Sequence, residues 1–413
     1  MKLRNLLFAT MFACAFASCS SDDDPTIDPT PAEAADAYLN IAATAKGEQT
    51  KATTDENALE GEAAVKTLAV IVFQADGKRI GYQFATVGKE GDKSETFYQN
   101  EDGSYTLNTP VKVKAVNVDV YVVANVADNV LSAANTTTLF SALRTELNQD
   151  ISSGLVMSSM KYSATAENLK DKTIEDPFFV NSTGGDISIQ RVAARVQLTE
   201  VKVDFESEKE QLDVKGAILI NVRTNSLLYA DAFTTTLDFG TAGSQAFGYG
   251  EYGDRSYTGG LFVTSSSNIK NNSAFTKSIS NAVLTHSSTT KSLQVTGNDA
   301  VYSYVMPNAL TSKCQEAIDG DDNAYTLLSI YGEYTDNTGT KMEGTRYYTV
   351  RIGKDGVGTS PTGNVVRNYV YDVKATLTGS GSDSPVKPEA KAYINATINV
   401  VPWTFVAQTP SVD

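Results

Sequence analysis

The 413-residue chain contains a single histidine, His286, and three cysteines, Cys14, Cys19 and Cys314. A multi-histidine or cysteine-rich metal centre cannot be assembled from that stock. Cations are also scarce: 34 lysines and arginines face 49 acidic residues, a net charge of −15. Binding of nucleic acid needs basic clusters, so a polyanion is a poor partner. After the first 18 residues, no apolar run is long enough to cross a bilayer as a helix. Patterns that could carry chemistry are equally thin. Gly248-Tyr249-Gly250-Glu251-Tyr252-Gly253 matches G-x-G-x-x-G, but Asp254-Arg255-Ser256-Tyr257 after it opens no helix for a pyrophosphate. Asp319-Gly320-Asp321-Asp322-Asn323 starts like a calcium loop, yet Ala324 and Ile330 occupy the glycine and bidentate-glutamate positions. That segment reads as an acidic turn. His286 sits in a polar loop with no triad around it. Cys314 has no evident group to activate it and reads as a partly buried structural residue. Glu206 and Glu208 alternate along a strand-like stretch and read as solvated. The chain therefore does not read as an enzyme, and it implies no cofactor and no metal.

What the sequence has is strand-forming material. Hydrophobic residues make up 41% of the chain, enough for sizeable cores, and the length suits two domains behind a leader. Val65–Phe73, Val111–Ala124, Ile187–Val203 and Tyr347–Ile352 are β-branched or alternating, with Gly, Asn and Asp around them. The alternation in Val111–Ala124 slips near Ala115-Val116, which predicts a bulge or two strands. One short helix is predicted over Thr138–Asn148, with Leu139, Phe140, Leu143 and Leu147 on one face. Gly240–Gly260 and Ser265–Asn298 read as polar surface loops. Asn181–Asp186 is turn-rich and a candidate boundary.

The leader is informative. Residues 1–18 combine Lys2 and Arg4 with an apolar run from Leu6 to Ala17, the pattern of a secretory signal. Phe16-Ala17-Ser18-Cys19 resembles a lipobox, in which the cysteine is acylated and becomes the mature N-terminus. Residues 19–36 form an acidic, Ser/Asp/Pro-rich flexible tether.

The two ends of the body carry the argument. Near the start, Asp36–Ala45 reads as a strand with Leu39, Ile41 and Ala43 on one face. Lys46–Lys51 and Ala52–Asn57 follow at once, a polar stretch of small residues suited to proteolysis. Near the finish, Ser380–Lys391 is a linker. After it come Ile394, Ala396, Ile398 and Val400 in alternation, then Pro402, Trp403 and Phe405. A strand on a linker can fold back in cis or pair with another molecule.

In this order, Phe16–Cys19 with its acidic sequel, the early strand with basic sites behind it, Arg191-Val192-Ala193-Ala194-Arg195-Val196, Arg367–Gly379 (RNYVYDVKATLTG) and Ile398–Trp403 resemble the Bacteroidales fimbrillin family, the subunits of type V pili. The likeness covers essentially the whole chain and is nearest to the major, stalk subunits.

That resemblance implies an all-β fold of two tandem Greek-key, transthyretin-like β-sandwich domains with few short helices. It divides the chain into a signal (1–18), a tether (19–36), a first strand and propeptide removed on maturation (37–51), an N-terminal sandwich (52–186), a C-terminal sandwich (187–390) and a donor-strand segment (391–413). It further implies that Cys19 is lipidated, with palmitate, at the outer membrane. A trypsin-like protease would cut between Lys51 and Ala52, with Lys46 as the alternative. The first strand, with Leu39, Ile41 and Ala43, would then leave. Ile394, Ala396, Ile398, Val400, Trp403 and Phe405 of another copy would fill the vacancy, in extracellular fimbriae on the cell surface. Partners are other copies and the anchor or tip subunits. A minor subunit is the alternative within the family. A monomeric glycan-binding lipoprotein, stacking sugars on Tyr249, Tyr252 and Tyr257, is the alternative outside it. Residues 19–51 carry a net charge of −5, so the chain from Ala52 onward carries −12.

Overall fold

β-Branched and aromatic residues in alternation fit a pleated surface with one face in the core, and the protein uses them in that way. The computed structural model describes residues 34–45, 61–62, 64–86, 97–100, 104–180, 186–220, 222–223, 225–229, 247–249, 269–271, 275–287, 289, 291–295, 301–307, 326–353, 365–385 and 394–402. Across these residues the chain is all-β, with three short α-helices and one 3₁₀ turn among the described residues.

The N-terminal half is built on Thr67–Gln74, which pairs antiparallel with Arg79–Thr86 on one side and Val118–Ala124 on the other. That sheet continues through Met157–Ser159 and Ile187–Arg191 to Ala43–Thr44, Tyr105–Leu107 and Phe97–Gln99. A three-stranded sheet lies in the order Phe178–Val180, Asp36–Ile41, Val111–Lys114. Between them sits a core that includes Leu39, Ile41, Val70, Val72, Val120 and Val122.

The C-terminal half pairs two larger sheets. One has Ala194–Val203 at its centre, antiparallel to Ser292–Gln294 and Val301–Val305 and parallel to Tyr369–Leu377, with Ile394–Pro402 outermost. The other runs Thr276–Thr285, Gln211–Ile220, Leu327–Thr335, Arg346–Arg351. Val196, Leu198, Leu212, Val214, Ile330 and Val373 belong to the core that these sheets enclose. A third cluster, with Phe73, Tyr121, Phe140, Tyr229, Tyr304 and Val370, draws on both halves.

Several expectations meet the structure directly. The slip near Ala115 separates two strands, Val111–Lys114 and Val118–Ala124, which lie in different sheets. Ile187–Val203 is likewise two strands, broken at Val192-Ala193, where the chain passes from one sheet system to the other.

Four readings need correction. The helix spans Thr137–Ala142 and stops at Leu143, after which Arg144–Glu146 pairs as a strand with Asn225–Leu227. Phe140 is buried but Leu139 is half exposed, so the four residues do not share one buried face. The Ser/Thr-rich stretch 265–298 is not simply loop: Thr276–Thr285 is a ten-residue strand that buries Ile279, Ala282 and Leu284. It lies at a sheet edge, where a polar outer face has no cost, and its alternation is interrupted by a bulge opposite Val214–Gly216. Glu206 and Glu208 are exposed as expected, but they lie in the turn between Ala194–Val203 and Gln211–Ile220 rather than in a strand. Cys314, Asp319–Asn323, the candidate boundary 181–185 and residues 240–246 and 250–260 of the glycine-rich stretch lie outside the described residues, and the described part of that stretch, Phe247–Tyr249, is a strand and not loop.

Candidate functional site

The first strand is an interior element. Asp36–Ile41 pairs antiparallel with Val111–Lys114 and parallel with Phe178–Val180, so both of its edges are occupied. Ala43–Thr44 continues it, parallel to Ile187-Ser188 and antiparallel to Tyr105. Ala37, Leu39, Ile41 and Ala43 are all 0% exposed. Period-two alternation explains the face: these are the odd positions of a single extended segment. At the open end, the Asp36 carboxylate meets Lys112 Nζ at 2.7 Å and Lys114 Nζ at 2.9 Å. Hydrogen bonds from these two ammoniums hold the Asp36 carboxyl below the ordinary carboxylate range, and Lys112 is raised in return. Asn40 is the one buried polar side chain of Asp36–Ile41. Its Nδ2 donates to the Leu107 carbonyl oxygen at 2.9 Å.

The C-terminal strand is built differently. Ile394–Pro402 pairs antiparallel with Tyr369–Leu377 over nine residues, from Ile394 opposite Leu377 to Pro402 opposite Tyr369. Among the described residues it is outermost in its sheet, with this one strand neighbour. Ile394, Ala396 and Ile398 are only half-buried, packed against the core of the C-terminal half. Pro402 does not interrupt the ladder; it is the last residue of the strand, where a missing N–H is tolerated. The side chain of Val400, and all of Trp403 and Phe405, lie outside the described residues. So do Cys19, Lys46, Lys51 and Ala52.

Between these strands lies a joint of buried charge that composition did not reveal. Arg195 and Glu62 form a buried ion pair at 2.7 Å, and Arg195 Nη1 reaches both carboxylate oxygens. The Tyr304 hydroxyl donates to Glu62 at 2.8 Å. Burial, then the Glu62 charge, pushes the Tyr304 phenol far above its usual value. Arg191 Nε donates to the Glu62 carbonyl oxygen, and Arg191 Nη1 to the Asn368 side chain. Arg367 donates to the carbonyl oxygens of Leu227 and Leu228, and burial lowers its pKa to about 10. The fold thus brings together the motifs Arg191–Val196 and Arg367–Val373, which are far apart in sequence. The two arginines in the strand-forming run at 187–196, Arg191 and Arg195, were the available signal, since a buried charge demands a partner. Nothing in the sequence pointed to Glu62. His286 is structural: its Nδ1 lies 2.6 Å from the Phe205 carbonyl oxygen.

Comparisons with known proteins agree with this architecture. Residues 37–199 match the sequence model of a family described as "Major fimbrial subunit protein (FimA)". A protein described as a fimbrium tip subunit, Fim1C, of Parabacteroides distasonis is 27% identical over 437 residues, covering 100% of this chain and 99% of that one. The major fimbrium subunit FimA type-4 of Porphyromonas gingivalis is 31% identical over 107 residues, 20% of this chain and 28% of the relative. Among solved structures, a cell adhesion protein of Parabacteroides distasonis superposes with a TM-score of 0.62 at 20% identity, covering 91% of this chain and 100% of that one. A fimbrilin of Porphyromonas gingivalis W83 gives 0.57 at 19% identity, covering 90% and 98%. These two share the fold. The chain thus carries the signature of the fimbrial-subunit family over residues 37–199 and is similar along its full length to a protein described as a fimbrium subunit.

Proposed function

We propose that this chain is a structural subunit of a type V fimbria, exported as a lipoprotein precursor and polymerised by strand exchange after proteolysis. One observation supports this reading above the rest. A doubly paired strand, Asp36–Ile41, whose core-facing side chains Ala37, Leu39 and Ile41 are fully buried, is joined to the body through a polar stretch that carries Lys46 and Lys51. A cut after Lys51, or after Lys46, severs the strand from everything that follows. Acylation of Cys19 would hold the precursor at the outer membrane until then.

Loss of the strand uncovers the places of Leu39 and Ile41, whose burial contributes about 1.5–3 kcal/mol each. It also breaks two ladders, each hydrogen bond contributing about 0.5–1.5 kcal/mol net. The vacated slot is narrow, apolar and edged by unpaired strands, which is the setting for β-augmentation. A second copy carries a suitable occupant in Ile394, Ala396, Ile398, Val400, Trp403 and Phe405. Five to seven apolar side chains buried there give a gross gain of order 10–20 kcal/mol, from which ordering of the tail subtracts. Such a contact is head-to-tail and extends into a filament instead of closing.

The partners are other copies, anchor and tip subunits and a trypsin-like protease. The mature protein is extracellular, with the acidic surface of a chain that carries −12 from Ala52 onward. A second reading, a tip subunit, is favoured by the full-length likeness to a protein of that description. That relative matches along this entire chain, so the presence of a C-terminal tail does not by itself separate stalk from tip. Brief trypsin treatment of the soluble precursor, with the new N-terminus read by mass spectrometry and unboiled SDS gels, tests the proposal. A start at Ala52 or Gly47 with SDS-resistant multimers, lost on deletion of 392–413, is the expected result. Clean cutting that yields monomers only would overturn it. Immunogold labelling along the shaft or at its end separates stalk from tip.

A further inference from the structure

Asn40 is an anomaly in the first strand: an amide, 4% exposed, among apolar neighbours. Besides donating to the Leu107 carbonyl oxygen, it accepts from the Ile41 N–H at 2.8 Å through Oδ1. A buried amide is tolerated only where its partners are, so it fixes the strand in one register. Around it, the core-facing positions run small, large, large, small: Ala37, Leu39, Ile41, Ala43. The C-terminal strand repeats that pattern in Ala396, Ile398, Val400 and Pro402, and Asn399 falls between the two large residues.

We infer that the C-terminal strand of a second copy enters in a single register, with Ile398-Asn399-Val400 in the place of Leu39-Asn40-Ile41. This inference rests on the strand-exchange reading above. The amide of Asn399 then takes over the donation to the Leu107 carbonyl oxygen. Asn395 falls at the position of Asp36.

A rival alignment matches more letters, with Ala392-Tyr393-Ile394-Asn395 on Ala37-Tyr38-Leu39-Asn40. It fails on size and charge. Ala396 would replace Ile41 and leave a void, while Ile398 would be forced into the place of Ala43, between Ile187 and Tyr105. Lys391 would replace Asp36 and face Lys112 and Lys114, turning two attractions into repulsions. Direction is set by the ladders, because the size pattern is symmetric about Asn399. Val111–Lys114 presents its backbone groups to an antiparallel partner and Phe178–Val180 to a parallel one. The two ladder types space their donors and acceptors differently. A strand running in the sense of the one it replaces meets both, and a reversed strand meets neither.

Cross-linking distinguishes these arrangements. Lys112, with an exposed side chain, lies opposite Tyr38. In the proposed register Thr397 of the incoming strand occupies that place. Tyr393 does so in the rival register and Val401 in the reversed one. Soluble protein beginning at Ser20 and carrying C314S has no native cysteine. Into it, Lys112→Cys is combined with Thr397→Cys, Tyr393→Cys or Val401→Cys. Each variant is trimmed with trypsin, allowed to polymerise, oxidised and run on a non-reducing denaturing gel. Covalent multimers are expected from the Thr397 pair alone. Multimers from either other pair, or polymers that none of the three cross-links, overturn the register and leave strand exchange standing. A wild-type protein that never polymerises overturns strand exchange itself. A cysteine-free check compares Asn399→Leu with Asn395→Leu. The first is expected to slow assembly about tenfold, the equivalent of one buried hydrogen bond, and the second to leave it near wild type. The opposite order overturns the register.

Discussion

The first strand and the last are made of similar residues and held in opposite ways. Asp36–Ile41 has a neighbour on each side, four core-facing side chains at 0% exposure counting Ala43, and an ion-paired end. Among the described residues Ile394–Pro402 has one strand neighbour, and its core-facing residues with described side chains are half-buried. Alternation alone does not distinguish them, since both read as period-two strands. Placement does. An interior strand leaves only if it is cut and exchanged, whereas an edge strand can peel from its one partner. Under the proposed strand exchange, this difference suits the first strand to displacement and the last to donation.

Deletions should break this comparison most sharply. Removal of 392–413 is expected to leave a folded subunit, by circular dichroism and thermal melting, that forms no multimers after trypsin. Removal of 34–45 is expected to give a poorly folded or spontaneously polymerising subunit. Equal behaviour of the two deletions would erase the distinction.

Glu62 sharpens it next. It lies shortly beyond the proposed cut and is fixed by Arg195, Arg191 and Tyr304. Glu62→Gln strands Arg195 in the core and is expected to cost about 3–5 kcal/mol in denaturant unfolding. The freed segment should also show extra tryptic cuts, so that loss is no longer confined to the N-terminal side.

Smaller effects follow from single side chains. Leu39→Ala is expected to destabilise the precursor by about 2–5 kcal/mol. Ile398→Ala, half-buried, should cost less than half of that in the monomer yet impair assembly strongly. The smallest effect concerns Asp36. Its carboxyl is held below the ordinary value of 3.8, so its contribution is present above that value and is lost as pH falls through the lowered pKa. Asp36→Asn should therefore lower the melting temperature slightly at neutral pH, and the difference from wild type should vanish in strong acid.

Much of the fold was legible because strand pattern and burial share one cause. Val111–Lys114 and Val118–Ala124 were separable from a phase slip, and the buried face of the first strand could be read from Leu39, Ile41 and Ala43. The edge strand Thr276–Thr285 was not legible, because an outer face in contact with water imposes no apolar pattern and Ser and Thr there look like loop. The helix was overextended because Leu143 and Leu147 do pack inward, but from extended backbone. The joint was half legible. Arg191 and Arg195 advertise buried charge, while Glu62 follows a polar stretch and only its tertiary contacts single it out. That the first strand is flanked on both sides was beyond any local pattern, since Val111–Lys114 and Phe178–Val180 arrive from distant parts of the chain.

The break at Val192-Ala193 has a mechanical consequence. Ile187–Arg191 pairs in parallel with Ala43–Thr44, and after two residues the same chain, as Ala194–Val203, pairs in parallel with the strand Tyr369–Leu377. Asn368 is fastened across the gap, to Ala193 through its N–H and to Arg191 through its side chain. A pull on whatever strand occupies the slot therefore reaches the C-terminal sheet through one short covalent link, with no slack to take up. Each parallel ladder is loaded along its length, so its bonds share the tension instead of failing one after another. In the proposed fibre, load would run through the subunit along its two longest-range pairings.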